Sequence, residues 1–181
     1  MTEVKLSLEN LIFVKPNPIE HAPITLGWFE SEHGPETLFL MGNAEHEIET
    51  PSLQTETEIL QEFISLEQNS EQITWMINFE ENIVGVAWIE LIKNHNVKPP
   101  SVHLMIGDKT FRGRGIGKAS MQALIGYIKD NIITDFIYSR HLKSNVVVAK
   151  MNQGLGFEDD GEAYLDDNGL EWQNVRLLIS F

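Results

Sequence analysis

The sequence predicts a mixed α/β domain built on a mainly antiparallel, twisted sheet flanked by helices, and three observations carry that expectation. Ile73, Trp75, Ile77 and Phe79 alternate with polar residues, and the Glu80-Glu81-Asn82 turn leads to a β-rich run from Ile83 to Ile92, the pattern of an antiparallel hairpin. Two stretches, Ile59 to Leu66 and Ile116 to Ile128, place apolar side chains at helical spacing. A strand expected over Val102 to Gly107 runs directly into a basic, glycine-punctuated loop, Lys109 to Ser120, that opens the second of those helices.

The remaining elements follow in chain order. Leu6 to Val14 reads as a first strand. Pro16, Pro18 and Pro23 punctuate the approach to a helix over Ile24 to Phe29, which Gly34 and Pro35 end. Leu38 to Pro51 lacks a pattern and reads as a loop with one helical turn. Thr55 and Glu58 have the form of a capping box for the helix carrying Ile59, Leu60, Phe63, Ile64 and Leu66. Lys93 to Pro100 is a polar connection. Beyond the glycine loop, Ile116, Ala119, Ser120, Ala123, Leu124, Tyr127 and Ile128 form one stripe. Ile132 to Ser139 reads as a strand, and Asn145 to Gln153 as a short helix stopped by Gly154 to Gly156. Phe157 begins a last hairpin that turns at Asp166-Asp167-Asn168-Gly169 and returns over Glu171 to Phe181. No repeat, low-complexity tract or linker interrupts the 181 residues, so a single domain over 1–181 is expected.

Composition narrows the function. A content of 42% hydrophobic and 22% charged residues suits one soluble globular core. The absence of cysteine excludes disulfides, thiolate metal sites and a Cys nucleophile. A net charge of -14 argues against nucleic acid as partner, which calls for a basic footprint. No apolar run approaches the roughly 20 residues of a membrane span, and MTEVKLSLENLIF has neither a basic start nor a sustained apolar core. A cytoplasmic protein with no membrane partner is therefore expected.

The charge is unevenly spread. No Lys or Arg occurs between Lys15 and Lys93, while Glu30, Glu36, Glu45, Glu47, Glu49 and Glu58 are among the carboxylates that accumulate there. Eight of the thirteen basic residues fall between Lys109 and Lys150. One half suits a cation and the other an anion, the plainer reading of the acidic half being a solvated surface. His33, His46 and His95 show no ligand spacing, so no metal is expected.

The glycine loop has the chemistry of a pyrophosphate cradle. A helix begins with N–H groups that lack internal partners, at the positive end of the aligned peptide dipoles. Glycines let such amides approach an anion closely. The ATP-binding P-loop would need glycine at Arg112 and a hydroxyl at Ala119, and the dinucleotide fingerprint begun at Gly113 and Gly115 would need glycine at Lys118. Neither fits. The pattern [QR]xxGx[GA] is matched by Arg112, Gly115 and Gly117.

This stretch resembles the acetyl-CoA-binding motif of the GNAT superfamily of N-acetyltransferases, and the order of Val102 to Gly107, Arg112 to Gly117, Ile132 to Ser139, Asn145 and Gly156-Phe157 extends the likeness. The element order is similar to the branch that holds ribosomal-protein N-terminal and polyamine acetyltransferases. The resemblance implies the GNAT fold and acetyl-CoA as cosubstrate. Main-chain groups of Met105, Ile106 and Gly107 would pair with pantetheine, and Arg112, Gly113, Arg114, Gly115, Ile116, Gly117 and Lys118 would hold the pyrophosphate. Asn145 would meet the pantetheine arm. The acceptor would be the primary amine of a small molecule or a peptide N-terminus, and a homodimer is left open.

Acetyl transfer needs a neutral amine, a polarised carbonyl and a route to protonate the thiolate. The family's proton-donating Tyr position falls on Asn152, whose amide can hydrogen-bond sulfur without delivering a proton. Glu90, ending a row with Val84, Val86 and Trp88, is a candidate base whose pKa burial would raise, unless the strand simply reaches solvent there. His103 is a second candidate base, with cross-strand packing as its plainer role. His141 stands where the strand after the second helix ends and could line the acceptor cleft, with a place on a surface loop as its plainer reading. The alternative to an enzyme is a non-catalytic acyl-CoA-binding or regulatory module, motivated by Asn152.

Overall fold

The alternating runs form the sheet they predict. A computed structural model describes residues 8–94 and 96–179. Its strands are β1 (Leu11–Val14), β2 (Gln72–Phe79), β3 (Asn82–Glu90), β4 (Ser101–Ile106), β5 (Phe136–Leu142), β6 (Glu158–Asp159), β7 (Tyr164–Leu165) and β8 (Glu171–Leu178). They lie in the order β1-β2-β3-β4-β5-β8-β6, with β7 also on β8, and among the described residues β4 with β5 is the one parallel pair. Glu80 and Glu81 both take positive φ, 51° and 66°, which closes the β2–β3 hairpin with the twist that two-residue turns require.

Helices cover both faces. On one face α4 (Ile116–Asn131) and α5 (Val146–Gly154) pack on a core that includes Ile77, Ala87, Ile89, Val102 and Ile137. On the other, α1 (Pro18–Glu30) and α3 (Leu53–Gln68) enclose Met76, Val86 and Met105 between Ala22, Trp28, Phe29 and Leu60, with α2 (Gly34–Leu40) beside them.

Several boundaries differ from the sequence expectation, each for a physical reason. β1 starts at Leu11; Leu6 lies outside the described residues. α1 starts at Pro18, capped by Asn17 Oδ1 on the amides of Ile19 and Glu20, and it carries Pro23 in its interior. An interior proline costs about 3 kcal/mol, and burying Trp28 and Phe29 at about 2–3 kcal/mol each outweighs it. Gly34 and Pro35 open α2 instead of ending α1. At Gly34 a Cβ would lie 1.9 Å from Phe29 O, so only glycine allows this corner, and Pro35 suits the first turn. α3 is capped by Ser52, which accepts from Thr55 N at 3.1 Å, so the capping residue stands three positions before Thr55. β5 starts at Phe136, because Ile132 still closes α4 and Ile133 is exposed.

A bulge alters the β3 face on which one candidate was placed. Ile77 pairs with Gly85 and Asn78 with Ile83, so Val84 is the extra residue. Val84 therefore joins Ala87 and Ile89 on the α4 side, while Val86 and Trp88 face α1. The expected single row of Val84, Val86, Trp88 and Glu90 is broken at its first member.

Candidate active site

The parallel neighbours β4 and β5 splay apart. They pair at Ser101 and Tyr138, with Tyr138 N donating to Pro100 O at 2.9 Å and Ser139 Oγ donating to Val102 O at 2.8 Å. Beyond Val102 the β5-facing edge of β4 has no strand partner among the described residues, which leaves a wedge open towards Ile106.

Which main-chain groups line the wedge is decided by the register with β3. Gly107 N donates to Val84 O at 3.0 Å, and successive residues of a strand turn their main-chain groups to opposite neighbours. Met105 and Gly107 thus face β3, contrary to the expectation that they pair with a ligand. Leu104 and Ile106 face the wedge. No sequence signal pointed to Leu104, since only the register reveals it.

The glycine loop closes the open end of the wedge. Gly113 and Gly115 take φ of 77° and 81°, conformations that disfavour any side chain, and Gly115 starts α4 without a side-chain cap. The first amides of α4 are therefore free to meet an anion. Gly113, Arg114, Gly115 and Lys118 are exposed, and Ile116 anchors the turn in the core. A methyl on Gly117 would rest 3.7 Å from Leu104 Cδ1 and 3.8 Å from Met151 Sδ, so β4, α4 and α5 meet there. Arg112 is held by acceptors of the protein itself: its Nε donates to Ile106 O at 2.9 Å and its Nη2 to Thr37 Oγ1 at 2.8 Å. Asn145 Oδ1 caps α5 through Val148 N at 3.2 Å.

A polar cluster sits on the α1 side of the wedge's closed end. His103 stacks on Trp88, with ring centroids 5.3 Å apart. Its Nε2 lies 2.9 Å from Ser101 Oγ and 3.5 Å from Glu90 Oε2. Glu90 also accepts from Asn94 Nδ2 at 3.0 Å, Ser101 Oγ at 3.2 Å and Trp88 Nε1 at 3.4 Å. Burial pushes the Glu90 carboxyl up, but hydrogen bonding and charge from His103, with Asn94 and Trp88, hold it down at about 2. This corrects the expectation of a raised pKa: Glu90 is an ionised anchor. Ser101 was missed by sequence reasoning, although its i, i+2 spacing from His103 places both on one strand face.

A family model for the GNAT acetyltransferase domain matches residues 24–158 of this architecture. The chain belongs to the GNAT acetyltransferases. Among solved structures, the GNAT fold here is similar to RimL, the ribosomal L7/L12 alpha-N-protein acetyltransferase in complex with coenzyme A, at 16% identity and a TM-score of 0.78, covering 97% of each chain. It is also similar to the microcin C7 self-immunity acetyltransferase MccE in complex with acetyl-CoA and AMP, at 16% identity and a TM-score of 0.76, covering 95% of this chain and 94% of that one. A third likeness is AAC(6')-Ib in complex with ribostamycin and coenzyme A, at 14% identity and a TM-score of 0.73, covering 94% of each chain. At these identities the likeness is one of fold. No curated protein sequence matches the chain at a significant level.

In this GNAT domain Asn152 is 1% exposed, with Nδ2 at 3.3 Å from His141 Nδ1 and Oδ1 without a hydrogen-bond partner among the described residues. His141 is itself buried, and its pKa is lowered by burial, with Asp159 raising it and Lys143 lowering it further. The expected surface-loop histidine is thus a buried one. Among the described residues, no helix is long and apolar enough to cross a membrane.

Proposed function

We propose that this chain moves the acetyl group of acetyl-CoA to the primary amine of a cationic acceptor, by direct attack in a ternary complex. The wedge between β4 and β5, ending on the uncapped start of α4, is the observation that carries the donor half. The pyrophosphate sits on the amides from Gly113 to Lys118, with Arg114 and Lys118 adding charge. The pantetheine arm fills the wedge as an extra strand, paired with Leu104 and with Ile106 N, while the Asn145 amide meets it from the start of α5. The thioester then lies towards the closed end, near Val102 to Leu104.

His103 is the base in this reading. With Nε2 directed at Ser101 and Glu90, its proton sits there and Nδ1 carries the lone pair. The amine nitrogen attacks the thioester carbon, His103 Nδ1 takes the nitrogen's proton, and the C–S bond breaks with its electron pair on sulfur. Glu90 orients the ring and stabilises its charged form.

The acceptor half rests on charge. A cavity of about 510 Å³ is lined by Pro35, Glu36, Phe39, Glu45 and Ile48 in the acidic stretch. That stretch reaches the glycine loop through Glu36 and Lys109 at 3.1 Å and the last hairpin through Glu47 and Asn168 at 2.9 Å. It suits a polyamine, an aminoglycoside or a peptide N-terminus.

Free-thiol release from acetyl-CoA over a panel of these amines tests the reading. Turnover with cationic amines is expected; turnover confined to neutral or acidic amines would overturn the charge argument. Tight coenzyme binding without turnover on any amine would favour the binding module motivated by Asn152.

A further inference from the structure

We propose that His141, set by Asn152, is the hydrogen-bond donor that stabilises the departing coenzyme A thiolate. The proposal rests on the acetyl-CoA reading above and adds a role that the reading leaves unfilled.

The geometry of the wedge locates the sulfur. Ser101 and Tyr138 are level with each other, so Val102 stands level with Ser139 and Leu104 with His141. Ser139 Oγ bonds Val102 O and closes the wedge there. An arm entering past Gly117 has about 13 Å of β4 from Ile106 to Val102 before that closure. Its far end, the sulfur, therefore stops between Leu104 and Val102, on the stretch of β4 that His141 and Ser139 flank from β5. Ile137 and Ser139 share the His141 face of β5, and Ile137 lies in the α4-side core, so His141 flanks the closed end from the face opposite His103.

The buried pair is preset to donate. An amide NH2 only donates, so with Asn152 Nδ2 at 3.3 Å the His141 Nδ1 accepts, which puts the neutral ring's proton on Nε2. Nε2 has no hydrogen-bond partner among the described residues. Burial in this site keeps the ring neutral, with Asp159 and Lys143 acting on it in opposite senses. A neutral imidazole does not give up its proton to a thiolate, but its N–H lowers the energy of one. In the step, the C–N bond forms, the C–S pair passes to sulfur facing His141 Nε2–H, and His103 holds the amine's proton. The thiolate takes its own proton from water on release.

The test reads the thiol of bound coenzyme A by its thiolate ultraviolet absorbance, with turnover alongside. In the wild type the bound thiol is expected to titrate below the free coenzyme's value. His141→Phe should raise it and lower kcat by about 10- to 100-fold, the worth of one hydrogen bond to a charged group, with coenzyme affinity nearly unchanged. His141→Gln, which keeps an N–H donor, should restore most of the effect. Should His141→Phe fail to fold, Asn152→Leu must show the same direction of shift. A bound thiol that titrates like free coenzyme in the wild type, or a His141→Phe thiol and kcat within about twofold of wild type, overturns the proposal alone. Failure of the wild type to bind coenzyme A at all overturns the acetyl-CoA reading with it.

Discussion

Arg112 reaches across 75 residues of sequence to donate to Thr37 Oγ1 at 2.8 Å, and the same guanidinium donates to Ile106 O. One side chain thus joins the end of β4, the glycine loop and α2. A planar fork with donors spread over several nitrogens spans acceptors on separate elements, whereas an ammonium holds all its donors on one atom.

Arg112→Ala is expected to lower unfolding free energy by about 2 kcal/mol, because two acceptors lose a charged donor. Thr37→Val should cost about 1 kcal/mol. Urea denaturation measures both. A substitution at Arg112 that left stability unchanged and abolished acetyl-CoA binding would assign the guanidinium to the ligand instead.

Gly115 and Gly117 should respond differently to alanine. Gly115 has φ of 81° with open space where a Cβ would stand, so Gly115→Ala costs about 1–2 kcal/mol in backbone strain alone. Gly117 lies in ordinary helical backbone, and its added methyl meets Leu104 and Met151 at normal contact distance. Gly117→Ala should preserve the melting temperature or raise it slightly. Calorimetry with acetyl-CoA then separates a strained loop from a blocked one.

Glu90 gives the fold an acid limit. Its carboxyl is held at about 2 against an ordinary 4.5, so the folded chain binds the proton less readily than the unfolded chain does. The stabilisation is present above pH 4.5 and disappears as pH falls towards 2, by an amount on the order of 3 kcal/mol. Denaturation between pH 5 and 2 should show a slope for the wild type that flattens in Glu90→Gln.

His103→Phe keeps a ring to stack on Trp88 and removes the lone pair. It should reduce kcat by about 10²- to 10⁴-fold at neutral pH while the acetyl-CoA affinity changes little. Glu90→Gln should reduce kcat less, since it disturbs the ring's orientation and charge without removing the proton acceptor. Steady-state kinetics with a reactive amine compares the two, and equal losses would place the proton acceptor on Glu90.

Much of this molecule is written in local chemistry. The period of apolar residues marks β2, β3, α3 and α4, and the glycines with their basic neighbours mark the proposed anion site, because side-chain alternation and left-handed backbone are properties of a few consecutive residues. Pairing between strands decided the rest. The bulge at Val84 turns that residue to the α4 core, and the β3 register gives the wedge to Leu104 and Ile106 in place of Met105 and Gly107. Glu90 is held acidic above all by His103 on the adjoining strand, and Asn152 finds its hydrogen-bond partner in His141 on β5. A residue's face, its main-chain direction and its charge state depend on which neighbour the fold sets beside it, and that neighbour lies far along the chain.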